Sequence, residues 1–326
     1  MVPVSILDLA PITQGSDAAT ALAHSRDLAQ HAEGWGYRRF WVAEHHNMPG
    51  IASAATAVLI AHLAQSTHTI RVGAGGIMLP NHAPLVVAEQ FGTLEALFPG
   101  RIDLGLGRAP GTDHSTAVAL RRTLASNPDA FPHDVLELMS YFHPADGQRV
   151  KAIPGSGLTV PIYILGSSLF GAQVAAALGL PFAFASHFAA QQMIQAVDIY
   201  RSRFQASPGE HPYIILGVNI VAADTEDDAK WLASSGRQAV ASLRAGMPIQ
   251  LPPPSHEWEK DVVDFDASRL EGIQSVSIVG SPHTIDRGAR AFVDRMQPDE
   301  LIVVSHIYDH AARLRSYEIV SEIARR

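Results

Sequence analysis

The feature that most constrains this chain is an alternation. Apolar runs at 4–8, 38–43, 69–74, 101–106, 161–165, 181–185, 213–221 and 300–305 are separated by longer stretches with helical signals. The runs are rich in Val, Ile, Leu and Phe and lack strict polar alternation, as parallel strands buried on both faces do. Eight such strands with intervening helices predict an α/β fold, a (β/α)8 TIM-type barrel. A chain of 326 residues with 47% hydrophobic content suffices for one such domain over 1–326.

Helix signals fit the alternation. Asp17 or Ser16 is placed to cap a helix whose Ala21, Leu28, Ala32 and Trp35 share one stripe, and Gly34 and Gly36 end it. Ser281 before Pro282 reads as an N-cap with proline at the first helical position, opening a helix to about Met296. Residues 309–324 form a closing helix. Two segments break the pattern and are expected as insertions at the C-terminal rim. Residues 109–160 hold several prolines and glycines, with helical pieces at about 114–125 and 132–142. Residues 246–270 hold Pro252-Pro253-Pro254 and then mixed charge, the composition of a lid or rim loop.

Composition removes several functions. Net charge is −8 with no basic block, so nucleic acid is not an expected partner. There is no cysteine, hence no disulfide framework and no thiolate metal site. The chain enters its first strand almost at once, and its longest apolar stretch, 51–64, is too short to span a bilayer. A cytoplasmic protein without membrane contact is expected.

In a parallel barrel, chemistry gathers where strands end at their C-terminal side. Those ends read Asp8, Glu44-His45-His46, Gly75-Gly76, Gly107-Arg108, Gly166-Ser167-Ser168, Ser186-His187 and Ser305-His306. Ser168 falls where a helix N-terminus opens. Free N–H groups, a hydroxyl and the positive helix end make an anion site there, and the Arg108 guanidinium one strand away tips the reading from a plain cap to a phosphate. Gly75-Gly76 permits close approach of a flat ring, although a bulge explains the glycines alone. His45 and His46 in extended chain face opposite sides, so at most one faces the mouth. A metal site from His45, His187, His306 and Asp8 is geometrically open, but no spacing supports it and no metal is expected.

Four ordered motifs carry a family resemblance. They are Phe40-Trp41-Val42-Ala43-Glu44-His45-His46, the stretch from Val72 through Gly75-Gly76 to Pro80, Gly100-Arg101 through Gly107-Arg108, and Gly166-Ser167-Ser168. Over nearly its whole length the chain resembles the bacterial-luciferase-like flavin monooxygenases. Gly107-Arg108-Ala109-Pro110-Gly111 is similar to uncharacterised members rather than to the light-emitting subunits. The resemblance implies a barrel that takes reduced FMN from a separate NAD(P)H:flavin reductase and uses O2 to oxidise a small-molecule substrate. It implies His45 as the catalytic residue and Arg108 and Ser168 as phosphate ligands, with Ser167 and the N–H groups of Leu169 and Phe170 beside them. It implies Ala74, Gly75 and Gly76 under the flavin ring with a cis Gly75-Gly76 peptide, and 246–270 as a loop over the site. It also implies a homodimer, for which the Ala-rich segments 52–64 and 86–97 offer close helix packing. Two departures stand out. The luciferase reactive cysteine is Gly107 here, and a family glutamate before the phosphate serine is Ser167, so a long-chain aldehyde substrate does not carry over. An F420-dependent oxidoreductase, which shares barrel and histidine, is the main alternative; a non-catalytic flavin-binding protein is a further one. No Gly-x-Gly-x-x-Gly nicotinamide fingerprint occurs in a strand–helix setting.

Overall fold

The structure is a computed structural model that describes residues 1–108, 114–120, 130–206, 211–259, 265–270 and 273–326. Its strands are β1 (Val4–Asp8), β2 (Arg39–Val42), β3 (Arg71–Met78), β4 (Ile102–Gly107), β5 (Ile162–Gly166), β6 (Phe182–Phe184), β7 (Ile214–Ala222), β8 (Ser277–Gly280) and β9 (Glu300–Val304). All pairings are parallel, and eight strands close a ring in the order β1-β2-β3-β4-β5-β6-β7-β9 and back to β1. This is the (β/α)8 barrel that the alternation predicts.

Two details differ from the sequence reading. β3 runs on to Met78, so Gly75 and Gly76 lie inside the strand, at a register shift against β4 between Ala74 and Ile77. β8 is not anticipated. β7 is nine residues long; its first part pairs with β9, and its last residues, Asn219–Ala222, pair with Ser277–Gly280 outside the ring.

Helices surround the ring: α1 (Ala18–Gly34), α2 (Thr56–Gln65), α3 (Pro84–Leu97), α4 (His114–Leu120), α5 (Phe131–Phe142), α6 (Leu169–Ala177), α7 (Met193–Arg203), α8 (Glu226–Arg244), α9 (His256–Glu259), α10 (Pro282–Met296) and α11 (His310–Ala324). The expected helix at 114–125 is seen to Leu120, and its remainder lies outside the described residues. The segment 246–270 carries α9 and a single turn of 3-10 helix at Ala267–Arg269; 260–264 are outside the described residues.

Cap chemistry sets several helix starts. The side chains of Asp17, Ser281 and Asp309 accept from the N–H groups of Thr20, Thr284 and Ala312. Each such bond contributes about 1 kcal/mol. Trp35 is the C-cap of α1 rather than part of its buried stripe.

Strand side chains divide with period two. Ile6, Phe40, Val42, Val72, Leu104 and Ile164 face the helices, whereas Leu7, Trp41, Tyr163, Ile215 and Ile302 fill the barrel. The bottom of the interior is ionic. Arg39, 1% exposed, donates to Glu300 (2.8 and 3.0 Å), Asp103 (2.7 Å) and the Tyr163 hydroxyl (2.8 Å). Arg71, Trp41, Ser5 and Tyr213 donate to the same two carboxylates. Burial alone would lower the Arg39 pKa, yet Asp103 and Glu300 raise it above its ordinary value. No helix among the described residues is long and apolar enough to cross a membrane.

Candidate active site

The mouth of the barrel is built from strand ends that the sequence singled out. Immediately after β2, Glu44 and His46 turn one way and His45 the other. Glu44 is 1% exposed and accepts from His46 Nε2 (2.8 Å), His82 Nε2 (2.9 Å) and the Met78 N–H (3.0 Å). Burial opposes its ionisation, but these donors hold its pKa below the usual carboxylate range. Glu44 and His46 therefore knot the β2 and β3 ends together, which explains why two residues of the motif do not face the barrel.

His45 is the one that does. Its backbone N–H is fixed to the Ser53 carbonyl (3.1 Å), and its ring Nδ1 is buried without a hydrogen-bond partner. Burial, only partly opposed by Glu44, lowers its pKa. His187 and His306 join it across the mouth. Burial and then the nearby His306 and His45 push His187 down to about 3; burial and then Arg313 bring His306 to about 4. All three are neutral at pH 7. His187 Nδ1 is also buried without a partner. In the sequence reading His187 and His306 stand at the rim and enter only the open metal set with His45 and Asp8.

Glycines make room for them. A Cβ at Gly217 would lie 2.4 Å from His187 Nδ1, and one at Gly236 would lie 3.0 Å from the His306 Cβ. The Asn219 amide also donates to the His187 carbonyl. A glycine on the inward face of β7 was the one sequence signal that a ring sits there.

Asp8 is not part of the mouth. Its carboxylate is taken by Arg313 (2.6 Å), Ser25 (2.5 Å) and the Ala10 N–H (3.1 Å), which tie β1 to α1 and α11. Among the described residues, the three mouth histidines and Asp8 bring no set of ligand atoms close enough to share an ion. The only such group there, His133, Asp134 and Glu137, lies on the outer surface of α5. Asp8, held by Arg313 and Ser25, therefore stands apart from the other three residues of the four-residue set left open above.

The strand-five end is shaped for a close helix start. A Cβ at Gly166 would approach the Gly171 Cα to 3.3 Å, so two glycines let α6 begin directly over β5. Ser168 is its N-cap in extended conformation (φ −144°, ψ 168°), but its hydroxyl makes no capping hydrogen bond. The plain-cap reading of Ser168 is therefore not what the side chain does. Arg108, at the end of the paired strand β4, lies with its Cζ 4.3 Å from the centre of the Phe170 ring in the first turn of α6. Arg108 and Ser168 thus both border the first turn of α6, whose N-terminus is the positive end of the helix.

The Gly75–Gly76 peptide is cis. A Cβ on Gly75 would come within 2.7 Å of Leu7 Cδ1 and 3.1 Å of Trp41, and one on Gly76 within 2.7 Å of the Gly105 carbonyl. The close approach is made by the chain's own barrel residues on that side, while Gly75 remains partly exposed. At Gly107 a side chain would meet Met78 Sδ at 2.9 Å, so a cysteine there would need Met78 to shift.

The chain is thus a (β/α)8 barrel whose mouth gathers His45, His187 and His306, with Arg108 and Ser168 at the start of α6. The chain belongs to the luciferase-like monooxygenase family, whose sequence profile matches residues 2–296. A luciferase-like monooxygenase of Escherichia coli is 50% identical over 321 residues, covering 98% of this chain and 96% of that protein. An N-acetyl-S-alkylcysteine monooxygenase of Bacillus subtilis is 39% identical over 258 residues, 77% of each chain. Among solved structures, apo-MsnO8 superposes with a TM-score of 0.91 at 36% identity, covering 100% of this chain and 99% of that one. The fold, though little of the sequence, is shared with two more. One is the FMN-bound oxygenating constituent of 3,6-diketocamphane monooxygenase (18% identity, 98% and 97% covered, TM-score 0.70). The other is an F420-dependent secondary alcohol dehydrogenase (14% identity, 100% and 99% covered, TM-score 0.70).

Proposed function

We propose that this protein is an FMN-dependent monooxygenase that receives reduced FMN from a separate NAD(P)H:flavin reductase and uses O2 to oxidise a small organic substrate. One observation carries the cofactor assignment: the Ser168 hydroxyl is not spent on capping α6, and Arg108 is stacked on Phe170 over the same helix start. A phosphate fits that donor set. Arg108 supplies the charge, Ser168 the hydroxyl, and Leu169 and Phe170 their N–H groups, with Ser167 alongside. The backbone of Ala74, Gly75 and Gly76, free of large side chains, is the floor for a flat ring. Reduced flavin, when bound, supplies the electrons with which O2 is activated.

His45 serves the reaction from the other side of the mouth. It is neutral at pH 7, and a ring nitrogen without an internal partner is left to give or accept a hydrogen bond from a bound molecule. The apolar barrel layer beneath, with Leu7 and Trp41, keeps water from entering from below. The chain is a homodimer in this reading. The outer faces of α2 and α3 leave Val58, Val86 and Leu97 exposed, and a partner copy would cover them.

Titration of the protein with FMN, riboflavin and F420 tests the assignment. FMN is expected to bind, and riboflavin, which lacks the phosphate, to bind at least tenfold more weakly. Arg108→Ala and Ser168→Ala should each weaken FMN by about 1.5–3 kcal/mol, the worth of a charge-assisted bond. Unchanged FMN affinity in both variants defeats this placement, and a preference for F420 with F420-linked hydride transfer establishes the alternative. Light scattering at micromolar concentration should give twice the chain mass; one chain mass rejects the dimer.

A further inference from the structure

Beside the mouth lies a cavity of about 290 Å³ that none of the residues expected to hold flavin lines. It exists because β7 outruns the ring. Val221, near the end of β7, and Val279 of β8 belong to the apolar cluster under α8, whereas Val304 of β9 belongs to the layer that fills the barrel. All three valines line the one space, so it joins the barrel interior to the α8 layer. Trp258 of α9 borders it, and so does His306 of the mouth. Gly236 lets α8 come this near, since a Cβ there would lie 3.0 Å from the His306 Cβ.

Protein interiors leave few voids larger than a water molecule. This one is about twice the roughly 150 Å³ of an apolar cavity that stays dry and takes up benzene. It is also near the lower end for small-molecule sites, about 300–1,000 Å³. Its walls decide against an ion. A charged group that enters apolar walls loses its water and needs a counter-charge in return. Of the two arginines that line the cavity, Arg237 already has an interaction partner. Arg244 stands exposed in the last turn of α8, where a contact in water contributes little. His306 is neutral at pH 7, because burial and then Arg313 bring it to about 4. A neutral imidazole gives or accepts a hydrogen bond and supplies no charge.

We propose that this cavity takes the apolar part of the substrate, and that the substrate is an uncharged aliphatic molecule: its chain lies along Val221, Val279 and Val304, and its polar group is directed to His306 and the barrel mouth. The proposal rests on the reading of the mouth as the place of oxidation, but the cavity itself is testable without flavin.

The test uses the flavin-free protein and three probes that share one chain, octan-1-ol, octanoate and octylamine, each followed by titration calorimetry at pH 7. Octan-1-ol is expected to bind, and the two ions at least tenfold more weakly. Octan-1-ol should change tryptophan fluorescence, and Trp258→Phe should remove that change. Ala241→Leu, at a half-buried position of α8 that lines the cavity, adds a side chain to the space and should weaken octan-1-ol at least tenfold. Val279→Ala, which enlarges the space, should improve decan-1-ol relative to octan-1-ol and decides the location should Ala241→Leu not fold. Octanoate or octylamine binding as tightly as octan-1-ol, absence of octan-1-ol binding, or an affinity and chain-length preference unchanged in the folded variants overturns the proposal. Loss of the monooxygenase reading would show separately, as failure to bind FMN in a protein that still binds octan-1-ol.

Discussion

The two ends of the barrel interior are made from the same strands and are finished differently. At the N-terminal end Arg39 and Arg71 face Asp103 and Glu300, and Ser5, Trp41, Tyr163 and Tyr213 complete the set. At the C-terminal end His45 and His187 each bury a ring nitrogen with no partner. Buried polar atoms are normally hydrogen-bonded, and an exception calls for a reason. One end is closed by its own charges. The other is left for something that arrives, and stability and chemistry should separate along the same axis.

The largest effect is expected at the closed end. Arg39→Met removes the cation between two fully buried carboxylates, and breaking a buried pair from one side costs about 3–5 kcal/mol. Urea unfolding should record that loss. A loss below about 1 kcal/mol would mean that the bottom network is not a structural plug, and the contrast between the ends would dissolve.

At the open end the loss should be kinetic. His45→Ala is expected to lower the rate of product formation about 100- to 10,000-fold, the usual worth of a positioned acid–base group. FMN affinity should change little, because the proposed phosphate contacts lie at β4 and α6. Unfolding free energy should also hold, since the ring makes no internal bond at Nδ1. Normal product yield per reduced flavin consumed in His45→Ala would remove His45 from the chemistry.

Acid should reach the open end first. His187 and His306 titrate near 3 and 4 in the folded chain and near 6.5 when unfolded. Their folded pKa values are lowered, so between those limits the unfolded chain binds protons that the folded chain refuses. Stability is then complete above about pH 6.5 and falls as pH drops toward 4. The loss is at most about 2 kcal/mol per histidine at pH 5. Urea midpoints from pH 7.5 to 5 should fall for the parent chain and flatten in a His187→Gln, His306→Gln double variant. An identical acid slope in that variant would place the acid sensitivity elsewhere.

The same division governs what could be read from the sequence. The eight barrel strands are apolar runs, and Asp17, Ser281 and Asp309 act on residues three positions away, so both signals are local. β8 escaped because four residues, Ser277–Gly280, run directly into the Ser281 cap, and among the described residues their strand partner is the end of β7. The bottom network escaped for a related reason. Arg39, Asp103 and Glu300 are charges in three different strands, and their neighbourhood exists only once the ring closes. His45 and the Ser168 helix start were legible as residue types at strand ends. The grouping of His45 with His187 and His306 was readable only as an open metal set with Asp8, because the room for the rings comes from Gly217 and Gly236, and a glycine in a strand or helix does not say which ring it admits.

The smallest effect sharpens the contrast within a single motif. His46 neighbours His45 in sequence but belongs to the finished class, donating to Glu44 at 2.8 Å. Glu44 keeps His82 and the Met78 N–H when His46 is removed, so the carboxylate is not stranded. His46→Ala should therefore cost about 1 kcal/mol, the net worth of one hydrogen bond, rather than the several expected for a buried charge left alone. Product formation should stay within about twofold, because a loss of that size leaves the fold intact and the ring does not face the mouth. Parallel urea and turnover measurements on His45→Ala and His46→Ala decide the matter. If His46→Ala abolishes turnover while His45→Ala does not, the two side chains have exchanged roles, and the Glu44 knot rather than the unpartnered ring would be the reactive centre.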